Sequence, residues 1–378
     1  MKPFEKRKLK YESKDTTDQI FKQIKKKADL YFSETKNTKN GNIALWIKFT
    51  MMLLILIPSY FLVLHATSYL YLTLSYILFG MIFLIIGINI GHDAAHHCVS
   101  GNRKVDNLIF NLIFSLQGLS GYFWQIRHNS SHHIFPNVYH NDSDLESSGL
   151  ILLHPHQKAH SIHKYQHYYA PFLYMLFSLI FIFGVDFSFY FRKEQANLKF
   201  KNVPISAFIQ VIATKIAYLT LFLVLPIVFC PLGAWTIVGA FFSMHLVISI
   251  FLSFTFFISH HVEEVPYIEA DHANELVHDA WTHHQVITTI DFNPDSKIAN
   301  FIFGGFNLHI AHHLFPEVSH IHYPALTKII KETFEENKVD WYKSFSFFEG
   351  VASHLRHLKH TANQILVEKE AELSHSNG

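Results

Sequence analysis

Three clusters of histidine carry the chemistry open to this sequence: His92-Asp93-Ala94-Ala95-His96, His128-Asn129-Ser130-Ser131-His132-His133 and His309-Ile310-Ala311-His312-His313. Neutral imidazole offers a lone pair to iron, copper, nickel or zinc. His92 and His96 are four residues apart, as are His128 and His132, while His309 and His312 are three apart. On a helix these spacings place both rings on one face, where they can share a metal. His133 and His313 sit about 100° further round the helix, so they are expected to reach a second metal beside the first. The doubled adjacency suits a dinuclear centre. A lone histidine is ordinarily a hydrogen-bonded core or surface residue. Three clusters beside apolar segments need another account, because that many desolvated ring nitrogens require partners.

The elements that position these rings are apolar. Of 378 residues, 49% are hydrophobic and 16% aromatic, 37 of them Phe. That composition fits a multi-pass membrane protein with an extramembrane cap. A net charge of only +1 gives no reason to expect nucleic acid. Cys98 and Cys230 form no CxxC and no zinc-finger spacing. The polar, lysine-rich first forty residues, with Lys25-Lys26-Lys27, lack the early apolar core of a secretory signal peptide. Ile20, Phe21, Ile24, Leu30, Tyr31 and Phe32 give part of this arm an apolar face.

A bilayer span needs about 20 mainly apolar residues. Segments 44–65, 68–90, 205–229 and 234–258 qualify. Segment 105–119, interrupted by Asn107, Asn111 and Gln117, is expected to lie at the interface. Segment 168–191 is apolar too, but a crossing there would separate the third cluster from the first two. The link after it carries Arg192, Lys193, Lys199 and Lys201, which favours the cytoplasmic side. We therefore expect 168–191 to be non-spanning or re-entrant. The expected fold is an all-α integral membrane protein with four transmembrane helices in two hairpins. Both termini and the histidine-rich cap would be cytoplasmic. A basic arm over 1–43 precedes a membrane domain over 44–335 and a C-terminal tail over 336–378.

The chain also contains Gly91-His92-Asp93-Ala94-Ala95-His96-His97, Trp124-Gln125-Ile126-Arg127-His128-Asn129 and Asn141-Asp142-Ser143-Asp144-Leu145. Later come Trp281-Thr282-His283-His284-Gln285, Gly304-Gly305-Phe306-Asn307 and His312-His313-Leu314-Phe315-Pro316. Over roughly 44–335 the sequence resembles the membrane fatty acid desaturase family, in its acyl-CoA and acyl-lipid branch. The resemblance implies a non-haem centre of two irons per chain that uses O2 to remove two hydrogens from an acyl chain. It implies ligands at His92, His96, His128, His132, His133, His309, His312 and His313. A further ligand is expected in Phe257-Ile258-Ser259-His260, at His260, with His261 the adjacent alternative. The family pattern makes His97 an outer neighbour of the centre, and His284 is a second candidate for that role. Asp93, Asp142, Asp144, Glu263, Glu264 and Asp291 are candidates to orient ligand rings through N–H bonds to carboxylate. As solvated acids they would need no role. His154, His156, His160, His163 and His167 have metal-binding spacings but fit a wet interfacial loop better. Trp124 is expected to line the acyl path or to anchor the interface.

The substrate implied is a fatty acyl chain carried on CoA, lipid or carrier protein, taken from surrounding membrane lipid or its surface. Many front-end members of the family carry Gln at the first position of the third cluster, where this chain has His309, which argues against front-end regiochemistry. No His-Pro-Gly-Gly haem signature and no GxGxxG fingerprint occurs. Electrons are therefore expected from an external donor, a ferredoxin or cytochrome b5 with its reductase. A related diiron hydroxylase, ketolase or alkane monooxygenase would use similar clusters and differs in its product. The HxxxH spacing of zinc proteases occurs at His92, but without their glutamate after the first histidine. A metal transporter would place its ligands near the bilayer midplane rather than at span ends.

Overall fold

The computed structural model describes residues 4–6, 9–145 and 149–376, with side chains to 366. Among the described residues, four helices are long and apolar enough to cross a membrane: Ile43–Leu64, Tyr69–Ala95, Ile205–Phe229 and Ala234–His260, here the first to fourth spans. The first begins where the Asn42 side chain accepts the Ala44 N–H, and the second where Ser68 accepts that of Tyr71. Each cap satisfies a backbone donor that the first helical turn leaves free. Leu54, Phe61, Leu70, Leu74 and Ile209 are exposed along the outer faces. Such a continuous apolar surface is what a bilayer covers. Inside, Leu72, Tyr76 and Phe79 of the second span pack with Ile237, Ala240 and Met244 of the fourth.

The second span runs past 90, because a π-helical turn over Gly87–Gly91 leads directly into His92–Ala95. It ends at Ala95, and two residues on His97, with a φ of 60°, turns the chain away. Arg103–Leu116 is an amphipathic helix that buries Phe110, Ile113 and Phe114 and exposes Leu108 and Leu112. The apolar segment near 168–191 is not one rod. Ser161–Tyr174 and Phe177–Phe191 meet at 74°. Pro171 lies inside the first limb, and the chain tightens to a Leu176 N–H···O Leu173 bond of 3.0 Å before the second.

The extramembrane part is not wholly α-helical. Phe4–Lys6 pairs antiparallel with Leu198–Phe200, which also pairs with Glu194–Gln195. Lys10–Tyr11 runs parallel to Leu276–Val277, and Asp291–Phe292 parallel to Ser344–Phe345. Helix Asp15–Thr35 buries Ile20, Ile24, Ala28 and Phe32 against Leu326, Ile330 and Phe334, so the inward stripe passes through Ala28 and leaves Leu30 outside. Helix Phe347–Ser376 seats Leu358 on Ile258 and Val262 at the end of the fourth span. Both terminal regions thus pack into the cap that holds the histidines.

Candidate metal centre

Four elements deliver the histidines: the end of the second span, the π turn His128–His132, the helix His309–Leu314, and His260 at the last residue of the fourth span. They form two buried groups. His92, His96, His128 and His312 bring one ring nitrogen each within 4.8 Å of the others, and His132, His260, His309 and His313 do the same. His133 stands between them. Its Nε2 is 2.9 Å from His128 Nε2, and its ring centroid is 4.5 Å from that of His312 and 4.6 Å from that of His313. His261 turns elsewhere, its Nδ1 3.0 Å from the Tyr267 hydroxyl.

This sorting corrects the helical-face expectation. His128 and His132 do not share a group, and neither do His309 and His312. In the second cluster the cause is the π turn, where the His133 N–H bonds the His128 carbonyl at 3.0 Å, an i to i+5 step. Five residues therefore return His133 to His128, and His132 swings to the other group. In the third cluster the helix is regular, so His309 and His313 share the second group and His312 faces the first.

Outer hydrogen bonds fix which nitrogen of each ring faces inward. His132 Nδ1–H donates to Asp142 at 3.2 Å, His260 Nδ1–H to the Thr288 carbonyl at 2.9 Å, and His313 Nδ1–H to Gln285 Oε1 at 2.9 Å. His312 Nδ1 meets the Tyr323 hydroxyl at 3.1 Å. Such partners set tautomer and ring orientation in metal sites. Burial pushes the rings of His128, His133, His309, His312 and His313 well below the ordinary histidine range, and His96 down to about 4. Burial thus favours the neutral form of these rings, the form whose lone pair can ligate a metal. His132 is pushed up instead. Burial opposes its charge, but Asp142 and Asp144 outweigh that.

The arrangement fits metal ions. The Nε2 atoms of His96, His312 and His313 are buried without a hydrogen-bond partner, and each such atom costs about 1–3 kcal/mol. Nε2 atoms also face one another at 3.1 Å in His92–His128 and 2.8 Å in His260–His309. Converging imidazole nitrogens of this kind suit a borderline divalent cation.

The other candidates lie as follows. Asp144 reaches His132 Nδ1 at 3.7 Å and Arg127 at 3.5 Å. Asp93 points away from the groups, accepting the Ser319 hydroxyl at 2.6 Å and His320 Nδ1–H at 2.9 Å. His320 Nε2 is 2.9 Å from the Lys48 ammonium, which also donates to Asn89. Asp93 therefore anchors the loop behind the third cluster to the second span, and His320 ties that loop on to Lys48 of the first. Asp291 accepts the Ile310 N–H at 3.0 Å and the Tyr342 hydroxyl at 2.9 Å, and burial pushes its carboxyl up to about 7. Glu264 accepts the Ser353 hydroxyl and Glu263 pairs with Arg356, both on the tail helix. His284 is buried, with Nε2 2.9 Å from the Pro136 carbonyl, and His97 is half-buried just beyond the span and belongs to neither group. The wet-loop expectation fails for His154 and His163, which are buried. His163 closes a capping box with His160 and bonds the Gly149 carbonyl, so its nitrogens serve local backbone.

Thr288, Gln285 and Tyr323 were missed as ring partners. Gln285 stood in a quoted motif, whereas a backbone carbonyl such as that of Thr288 leaves no trace in residue type. Gly304 and Gly305, at φ of 57° and 92°, let the loop before the third cluster lie on its neighbours. A Cβ at Gly304 would come 2.4 Å from Asn89, and one at Gly305 would come 2.6 Å from Tyr323. An apolar cavity opens beside the first group. It starts at His92 and Trp124 and descends between the spans to Gly80, past Phe114, Phe306 and Phe83. Trp124 stacks on His128 at 4.3 Å between centroids.

Residues 66–346 match the family model described as Fatty acid desaturase. The chain is 27% identical over 345 residues to the sn-1 linoleoyl-lipid 6-desaturase of Arthrospira platensis, covering 89% of this chain and 91% of that protein. It is 29% identical over 347 residues to the acyl-lipid (8-3)-desaturase of Mortierella alpina, 89% and 76% respectively. Against acyl-lipid (8-3)-desaturase B of Dictyostelium discoideum the figures are 26% over 356 residues, 91% and 76%. A family match over most of the chain, with these histidine groups beside apolar spans, makes this protein a member of the fatty acid desaturase family, an oxidoreductase.

Proposed function

We propose that this protein is an O2-dependent acyl-lipid desaturase. One iron would be held by His92, His96, His128 and His312, a second by His132, His260, His309 and His313, with His133 between them. When bound, the two irons supply the O2-derived oxidising power that takes two hydrogens from neighbouring carbons. The protein's own part is positioning. The cavity from His92 to Gly80 is the observation that carries this reading, because its hydrocarbon lining suits an acyl chain and leads to the first histidine group. Phe114, Phe306 and Trp124 exclude water there and hold one stretch of chain still, which turns a diffusional encounter into a fixed approach. Asp142, Thr288, Gln285 and Tyr323 keep the inward nitrogens aimed.

The acyl-lipid substrate class follows the names of the relatives. His309 in place of glutamine sets this chain apart from many front-end members, so the carbon attacked need not be that of the relatives. Electrons would come from a ferredoxin or cytochrome b5 with its reductase. For topology, the pairing of Phe4–Lys6 with Leu198–Phe200 supports one side for the arm and the link after the bent helix. The bend would then be re-entrant, leaving four crossings in two hairpins, and the basic link favours the cytoplasm for both termini and the cap.

The test is expression in a host that lacks polyunsaturated lipid, with product mapping by gas chromatography–mass spectrometry. A new double bond at one defined carbon supports the proposal. A product with added oxygen and no double bond would instead establish the hydroxylase alternative. Iron analysis of purified, active protein should give two irons per chain, and full activity with one zinc would overturn the diiron assignment.

A further inference from the structure

His245 lies in the middle of the fourth span and is fully buried, far along the sequence from every cluster. An imidazole inside a bilayer span calls for a function and for partners. Both its nitrogens have one. Nδ1 is 2.7 Å from the Ser178 hydroxyl, and Nε2 is 2.7 Å from the Tyr218 hydroxyl. Ser178 is bound twice more, its hydroxyl 2.6 Å from Ser249 Oγ and its N–H donating to the same oxygen at 3.0 Å. Four buried groups thus close one network in an apolar setting.

The network ties the bent limb, the third span and the fourth span together; the limb and the third span are joined besides by the buried Lys215–Asp186 pair, so the link His245 adds is the one through the fourth span. Ser178 lies in the first turn of the limb Phe177–Phe191, just past the 74° bend, where backbone N–H groups lack helical acceptors. Tyr218 belongs to the third span, and His245 and Ser249 to the fourth. Ser178 and Tyr218 both line the cavity below His92, together with their neighbours Phe181, Ile182 and Phe222. Tyr218 also packs on Gly118, where a Cβ would meet its ring at 3.0 Å. At the level of the cavity the imidazole sets the separation of Ser178 and Tyr218, since its nitrogens bridge them at a set distance.

Resting on the desaturase reading above, we propose that His245 is a specificity-determining positioning residue. Through Ser178 and Tyr218 it fixes the course of the cavity below the metal centre, and so which carbon–carbon bond of the acyl chain lies beside His92. It touches neither substrate carbons under attack nor the histidine groups. Its loss should change the register of the chain more than the rate of chemistry.

The experiment compares the full-length wild type with Tyr218→Phe, Ser178→Ala, His245→Leu and His245→Gln in host membranes. Each strain receives saturated and unsaturated acyl chains of stepped lengths, and double-bond positions are mapped by mass spectrometry. Tyr218→Phe and Ser178→Ala each remove one hydroxyl, so they keep the test open if His245→Leu fails to accumulate. The expected result is a second positional isomer, or a several-fold change in chain-length preference, in Tyr218→Phe and His245→Leu. His245→Gln, which keeps a donor and an acceptor, should restore part of the wild-type pattern. Variants that make the wild-type isomer alone, with unaltered length preference at any rate, would overturn the proposal. A wild type that makes no double bond would instead overturn the desaturase reading, so the two failures are distinct.

Discussion

At the residue scale, surplus histidines test the assignment. His312 faces the first group with an unpartnered Nε2, and His260 faces His309. His312→Ala and His260→Ala should therefore abolish turnover and lower bound iron, measured on protein whose membrane level matches wild type. His261 bonds Tyr267 outside both groups, so His261→Ala should retain turnover and lose about 1 kcal/mol of stability from one hydrogen bond. Exposed His156 should be neutral on replacement. Inactive His261→Ala beside active His260→Ala would move the ligand by one position. Asp142 makes a finer case, since it accepts from His132 Nδ1, from the Asn137 N–H and from the Asp144 N–H. Removing an outer-shell carboxylate typically costs about 10–100-fold in metal affinity or activity. Asp142→Ala should fall in that range, and unchanged iron affinity would argue against its role. Residue types and cluster positions were legible in the sequence. The division of labour between His132 and His133 was not, because it depends on the pitch of one turn.

At the scale of elements, that turn and one loop are the sensitive parts. An α-helical His128–His132 would put four-apart rings together, whereas the π turn pairs five-apart rings. Deleting Ser130 shortens the path by one residue and should abolish iron binding, while Ser130→Ala changes no spacing and should be tolerated. Equal iron content in both would show that the π turn does not set the site. Gly305 is the corresponding point in the loop. Its φ of 92° and the Tyr323 ring beneath it leave no room for a Cβ. Gly305→Ala should destabilise by about 1–3 kcal/mol and disturb the Tyr323 contact with His312, seen as lower iron content at equal expression. The apolar runs announced all four spans to within a few residues, because about twenty consecutive apolar residues make a strong signal. The strands left none, since pairs of two or three residues carry no periodicity to read.

For the whole molecule, the open matter is which side of the bilayer each part occupies. Three crossings after the second cluster would carry 260–313 away from His92 and His128, yet ring nitrogens from both halves lie within 4.8 Å of one another. Parity thus requires an even number, and the bent helix is the segment able to give way. Its 74° break suits entry and return on one face, and the strand of the N-terminal arm lies on the link that follows it. Single cysteines at Lys193, Lys199 and Gly233 would read this directly. Lys193 and Lys199 are exposed, and a Cβ at Gly233 meets nothing within 4 Å, so none should disturb packing. Both native cysteines are buried, which keeps background labelling low. With an impermeant thiol reagent outside intact cells, Gly233→Cys should label, while Lys193→Cys and Lys199→Cys should label only after permeabilisation. External labelling of the latter two, with Gly233→Cys protected, would overturn this topology, either because the molecule is inverted or because the bent helix crosses, and in the second case the histidines could not share one side. External labelling of all three would mean that the bent helix crosses and the third span does not, which keeps the number of crossings even but abolishes the second hairpin.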